Sequence, residues 1–411
     1  MGKVKGYKCI KCSSEFDRGE IEYVCKKCQG NLQITYDYPF IKKRFKKADL
    51  AESSDYSIWR YIDLLPVEDL TRKPVVDIGW TPLYRTEKLG NHLGLKNLFL
   101  KDEGRNPSAS LKDRPGAIAV VKALERGEKS ITCASTGNAA SSLACLTAAL
   151  GLKTIIFVPE AAPPAKIAQL LVFGASVIAV KGSYDDAFDL SIQATKKYGW
   201  YSRNSGYNSY TREGKKTCAF EICEQLYWEC PDKVFVPVGD GNLISGMWKG
   251  FVDLHEIGFI ERLPQLISCQ AENMDAINRA FESDGVIRPV KGKTVADSIS
   301  VSCPHDGDAA LNAIKESGGF AVSVSDEEII NAIPELARKT SVFGEPSGVT
   351  PYAALRKAVN DNLIGRNETI VIMMSGSGLK DINSAMKSVK GPVTIRPNLN
   401  ELDKVVSSGC V

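Results

Sequence analysis

The chain has 411 residues, 44% of them apolar and 25% charged, and carries a net charge of +3. These are the proportions of a folded globular protein too long for one ordinary core, so two or three domains are expected. The small charge argues against a nucleic-acid footprint, which needs a basic domain or stripe, and no apolar run nears the ~20 residues of a membrane span.

The opening residues lack the apolar core of a signal peptide, so a cytoplasmic location with reduced thiols is expected. Twelve cysteines fall into two groups. Cys9-Ile10-Lys11-Cys12 and Cys25-Lys26-Lys27-Cys28 are Cys-x-x-Cys knuckles twelve residues apart, the pattern of a four-thiolate zinc ribbon. No histidine or spare carboxylate accompanies Cys9, Cys12, Cys25 and Cys28, so a closed structural Zn2+ site is expected rather than a catalytic one. So short a module has too little core to fold unaided, and the metal would supply its folding energy. The other eight (Cys133, Cys145, Cys218, Cys223, Cys230, Cys269, Cys303 and Cys410) lie mostly in apolar runs and read as buried thiols.

Lys42, Lys43, Arg44, Lys46 and Lys47 form a basic run that reads as a solvated helix face or linker. Ser57 to Pro66 is a short amphipathic arm expected to pack its Ile, Trp and Leu residues on a larger domain. A turn at Gly79-Trp80-Thr81-Pro82 precedes a strand at 97–101. From 117 onward strands and helices alternate: helix 117–125, strand 130–134, helix 138–150, strand 154–158, helix 165–173, strand 176–180 and helix 185–198. A second series follows: helix 217–229, strand 233–238, helix 245–256, strand 265–270 and strand 368–374. Short apolar strands alternating with helices mean βαβ units and a parallel sheet, hence an α/β protein.

Three turns in this series can carry chemistry. Ser135-Thr136-Gly137-Asn138 ends a strand and opens a helix, where free N–H groups suit a carboxylate or phosphate. Val238-Gly239-Asp240-Gly241-Asn242-Leu243 does the same with spaced glycines that let backbone amides approach a phosphate. Met374-Ser375-Gly376-Ser377-Gly378 is a third strand-end turn. Ahead of all of them, Asn106-Pro107-Ser108-Ala109-Ser110-Leu111-Lys112-Asp113-Arg114 sets one amine, Lys112, among small residues, as a lysine forming a Schiff base with a carbonyl cofactor would need.

Together these segments resemble the threonine synthase family. Asn106 to Arg114 is similar to its pyridoxal-phosphate lysine motif NPTGSFKDR, and Ser135 to Asn138 to its STGN segment. Gly344-Glu345-Pro346-Ser347 is similar to CEPAS, and Ser375 to Asp381 to TGHGLKD. The resemblance spans roughly residues 7–385 and implies the tryptophan-synthase-β-like fold (fold type II of pyridoxal-phosphate enzymes), two parallel or mixed-sheet domains behind a zinc ribbon. The implied division is ribbon 1–36, linker and arm 37–78, large domain 79–104 with 206–395, inserted small domain 105–205, and tail 396–411.

By the resemblance, Lys112 would hold pyridoxal 5'-phosphate and move protons. Asn138 would bond the cofactor's ring hydroxyl, Ser375 its pyridine nitrogen, and Gly239, Asp240, Gly241, Asn242 and Leu243 its phosphate. Ser135 and Thr136 would hold the substrate carboxylate, and Arg212 the substrate phosphate. The implied reaction is O-phospho-L-homoserine plus water to L-threonine plus phosphate, by a homodimer in which the Trp59 arm offers a contact. Several positions depart from the family pattern. Asn138 is followed by Ala139-Ala140, where the family continues STGNT. In the segment written NPYRxEGQKT, Thr211 stands at the arginine, with Arg212 one residue later. GNAGN becomes Gly239 to Leu243, and the histidine of TGHG is Ser377. These departures leave a second reading, a paralogue catalysing β-elimination or β-replacement on another amino acid such as serine or threonine. A third, a catalytically silent zinc-ribbon regulatory protein, is opposed by retention of Lys112, the Gly-rich turn and Ser375.

Overall fold

The structure is a computed structural model that describes residues 2–20, 23–162 and 164–408; Cys410 lies outside them. Among the described residues, no helix is long and apolar enough to cross a membrane.

Three sheets organise the chain. The first is antiparallel, order β2-β1-β3, from β1 (Val4–Cys9), β2 (Glu15–Asp17) and β3 (Leu32–Tyr36). Its Tyr7, Leu32, Ile34 and Tyr36 belong to the same apolar cluster as Met247 and Phe251 of the helix Asn242–Glu256, so the ribbon shares a core with the body behind it. The main sheet contains β4 (Leu83–Arg85), β5 (Asn97–Asp102), β10 (Lys233–Pro237), β11 (Gln265–Ala271), β12 (Ala321–Val324) and β13 (Thr369–Met374). Its order is β12-β11-β10-β13-β5-β4, parallel except for β4 against β5. The third sheet is parallel, order β8-β7-β6-β9, from β6 (Ser130–Ala134), β7 (Lys153–Pro159), β8 (Ser176–Val180) and β9 (Tyr201–Ser202).

The apolar runs of the inner strands exist because these strands are covered on both faces; all five residues of β10 are buried, whereas the edge strand β8 stays partly exposed. The helix expected to reach residue 229 stops at Gln225, because Tyr227 and Trp228 turn left-handed at φ 56° and 69°. The sequence pattern assigns no element between 271 and 367. There the structure has β12 and the helices Ala276–Glu282, Gly307–Glu316, Asp326–Thr340 and Pro346–Asn360. The last of these is buried on nearly all sides and holds Pro346, Gly348 and Pro351, so neither amphipathic period nor propensity marks it.

The basic run lies on two short helices, Tyr38–Arg44 and Lys47–Glu52, with its five cations exposed. The arm folds as a 3-10 helix, Ile58–Leu64, but serves two cores rather than one. Ile58 and Trp59 join the cluster of the helix Asp113–Glu125, while Tyr61 and Leu64 join that of Phe220 and Ile222. Trp59 is 3% exposed, so its ring is a core residue of its own chain and not a subunit contact.

Candidate active site

Parallel strands deliver their carboxyl ends to one side, and turns from both parallel sheets meet there around a cavity of about 470 Å³. The floor is Lys112, immediately before the helix Asp113–Glu125. Its loop is tied down from two directions. The Leu111 N–H donates to the Ser375 carbonyl at 2.9 Å and the Ser377 N–H to the Ala109 carbonyl at 3.0 Å, stitching it to the turn after β13. Asp113 accepts from the Ser108 N–H and hydroxyl, both at 2.6 Å.

Arg114, two residues beyond the lysine, is fully buried and donates to Glu103 and Glu221, with each nearest contact at 2.6 Å. Lys101 on β5 completes the group, 2.8 Å from Glu221. Two cations face two carboxylates, a balanced cluster that locks the lysine loop to the main sheet. Burial, with the Arg203 guanidinium close by, lowers the Lys112 amine from 10.5 to about 8. An amine tuned toward neutrality serves as nucleophile and as proton carrier.

The remaining walls come from the three turns. Ser135, Thr136 and Gly137 follow β6 and line the cavity, with the Gly137 N–H donating to the Ser135 hydroxyl at 3.1 Å. Asn138 opens the next helix, and its amide donates to Glu345 at 2.8 Å and Ser298 at 3.2 Å. Gly239 to Leu243 link β10 to the helix Asn242–Glu256. Gly241 sits at φ 91°, and a Cβ there would lie 2.7 Å from the Asp306 carbonyl, so glycine is needed both for the turn and for close packing. Ser375 faces the same space from the end of β13.

All but one of the expected cofactor and substrate residues therefore line one cavity. Arg212 does not. It is 2% exposed and donates to Asp306 at 2.5 Å, the Leu32 carbonyl at 2.9 Å and Ser245 at 3.2 Å, tying the ribbon to the body of the molecule. Thr211 turns its hydroxyl to the Asn208 carbonyl at 2.8 Å.

Arg203, Lys215 and Glu345 are among the lining residues that lay outside the sequence expectation. Arg203 follows the two-residue strand β9, too short to read from the sequence. Lys215 departs visibly from the EGQKT pattern. Glu345 stood in the segment compared with CEPAS without a role; burial pushes its carboxyl up to about 7, opposed by Lys380, Asn138 and Lys112.

The site fits pyridoxal phosphate. The first N–H groups of a helix have no intrahelical partner, and those of Asn242–Glu256 sit behind a glycine turn at the cavity wall, as a phosphate requires. At the other end of the chain, the four sulfurs of Cys9, Cys12, Cys25 and Cys28 lie within 4.8 Å of one another. The Cys9–Cys28 and Cys12–Cys25 separations are 3.5 and 3.6 Å, and tetrahedral Zn–S bonds imply about 3.7 Å.

Comparison with known proteins agrees with this geometry. Residues 76–376 match the family model described as pyridoxal-phosphate dependent enzyme. The threonine synthase of Methanocaldococcus jannaschii is 41% identical over 402 residues, covering 97% of this chain and 98% of that protein. The threonine synthase of Halalkalibacterium halodurans is 38% identical over 350 residues, 83% of this chain and 96% of its own. Among solved structures, the processed threonine deaminase isoform 2 of Solanum lycopersicum superposes with a TM-score of 0.65 at 24% identity, covering 75% of this chain and 87% of that one. Diaminopropionate ammonia lyase from Escherichia coli gives 0.66 at 18% identity, with 82% and 93% covered. These likenesses show the type II fold. With a lysine-floored cavity built from its own motifs and relatives matching along nearly its whole length, the chain belongs to the threonine synthase family of pyridoxal-phosphate-dependent enzymes.

Proposed function

We propose that this lyase converts O-phospho-L-homoserine and water into L-threonine and phosphate. The observation that carries the reading is the placement of Lys112 between the Ser135–Asn138 turn and the Gly239–Leu243 turn, in a chain that threonine synthases match nearly end to end. When bound, pyridoxal phosphate supplies an electron sink that acidifies the hydrogens on the substrate's Cα and Cβ.

The protein's residues do the rest. The Ser135 and Thr136 hydroxyls, with backbone N–H groups at the start of the helix Asn138–Thr147, hold the α-carboxylate. Lys112 takes the proton from Cα and then one from Cβ. The Cγ–O bond breaks and phosphate leaves, Cγ regains a proton, and water adds at Cβ as the Cα proton is returned. One amine with a lowered pKa suits every transfer. Asn138 and Ser375 orient the cofactor ring as neutral partners. Arg203, on the cavity wall, is the guanidinium in place to meet the departing phosphate. Zinc at the four cysteines, a cytoplasmic homodimer and the domain limits given above belong to the same proposal. All strands of the third sheet falling between 130 and 202 supports the inserted small domain.

The engagement of Arg212 and Thr211 elsewhere favours a second reading, β-elimination or β-replacement on a different amino acid. One assay separates the two: phosphate release from O-phosphohomoserine, run beside keto-acid formation from serine and threonine. Phosphate with threonine supports the first reading; inactivity on phosphohomoserine with keto-acid production overturns it.

A further inference from the structure

Two departures from the family pattern meet in space. Lys215 stands where EGQKT has glutamine, and Asp240 where GNAGN has its first asparagine, so two neutral amides have become a cation and an anion. Lys215 ends the helix Tyr210–Lys215, is 2% exposed, and lines the cavity. Its ammonium donates at 2.6 Å to the side-chain oxygen of Asn242, the first residue of the helix whose N-terminus faces the cavity. An ammonium has three protons to donate, and this contact uses one of them.

Asp240 lies in the glycine turn just before that helix. Its Oδ1 accepts the His305 N–H at 2.7 Å, while Oδ2 is buried without a partner. Burial, with Lys112 and Arg203 nearby as like charges, lowers the Lys215 amine well below its usual value, while Asp240 and Asp306 oppose the shift. A buried ammonium facing two other cations is costly unless an anion joins it. A phosphate monoester dianion at the N-terminus of the helix Asn242–Glu256 meets that need, and the free N–H groups there already favour it.

We propose that Lys215 is the direct charge partner of the cofactor's phosphate, and that Asp240 is a positioning residue balancing the added ammonium so that the cradle keeps the net charge of the neutral pattern. The inference rests on the cofactor assignment and not on the substrate. Its test uses no substrate, so its failure is separable from failure of the proposed reaction.

The test is titration of apoprotein with pyridoxal 5'-phosphate and, separately, with pyridoxal, which lacks the phosphate. Lys215→Gln is expected to weaken pyridoxal phosphate binding at least tenfold, leave pyridoxal binding within twofold, and shift the 31P resonance of the bound cofactor. Asp240→Asn is expected to tighten pyridoxal phosphate binding. Lys215→Arg, which keeps the charge, is expected to retain the wild-type ratio of the two affinities, and it serves if the glutamine variant does not fold. Equal losses for both ligands, an unchanged 31P resonance, weaker binding in Asp240→Asn, or a collapsed ratio in Lys215→Arg would overturn the assignment.

Discussion

Replacing Arg114 by methionine should cost the protein about 3–5 kcal/mol, the usual penalty for removing one member of a buried charge cluster. The structure supplies the reason. Arg114 donates to both oxygens of Glu103 and of Glu221, and to the hydroxyls of Thr81 and Thr217. Without it, Lys101 alone faces two buried carboxylates, leaving one negative charge uncompensated. Burial opposes ionisation of Glu221, but Arg114 and Lys101 overcome it and hold the carboxyl at about 2 rather than 4.5. The ionised cluster therefore stabilises the native state at neutral pH.

The sign follows from the depressed value. This stabilisation is complete above the unfolded-state value of 4.5 and disappears as pH falls toward 2. Urea unfolding at pH 7 should therefore show the large deficit in Arg114→Met with an unchanged m-value. Between pH 4.5 and the acid limit the wild type should lose stability more steeply than the variant, which has less left to lose. A deficit below about 1 kcal/mol at pH 7, or equally steep acid limbs, would refute the balanced-cluster account.

Further outcomes are expected. Lys112→Ala should give a colourless protein that stays colourless with added cofactor, and in the wild type the rate of cofactor attachment should climb with pH and level off above about 8, as the amine loses its proton; stopped-flow absorbance measures it. Ala109 occupies the left-handed region at φ 61°, where the NPTGSFKDR pattern has glycine, so Ala109→Gly should raise stability by up to about 1 kcal/mol after the entropy cost of glycine, read by thermal or urea unfolding. Metal analysis should find about one zinc per chain, lost in Cys9→Ser or Cys25→Ser. The same variants should bind cofactor more weakly, because Asn31 of the ribbon donates to Asp306 at 2.8 Å, and Asp306 in turn holds Asn242 at 2.7 Å.

Much of this protein is local chemistry. The two Cys-x-x-Cys knuckles, the lysine loop 106–114, and each glycine turn at a strand end are contiguous segments whose residue types carry their meaning without distant partners. The strands β6 and β8 were legible to the residue because each is a short apolar run bounded by glycine or polar residues. Elements buried on all sides, such as Pro346–Asn360, carry no periodic signature, and β9 is too short to have one.

What the sequence by itself determined was the inventory of segments: the lysine loop, the glycine turns at strand ends, the two Cys-x-x-Cys knuckles and the alternating α/β order, all set by neighbours within a few residues. Only the tertiary structure decided which cations face the cavity. The family pattern points to Arg212 and gives no hint of Arg203, yet an aspartate 94 residues downstream of Arg212 takes its guanidinium, while Arg203 is carried to the cavity wall by the end of β9. A side chain's charge is written in the sequence, but its partner is fixed by where the chain returns, and burial then makes that choice too costly to exchange.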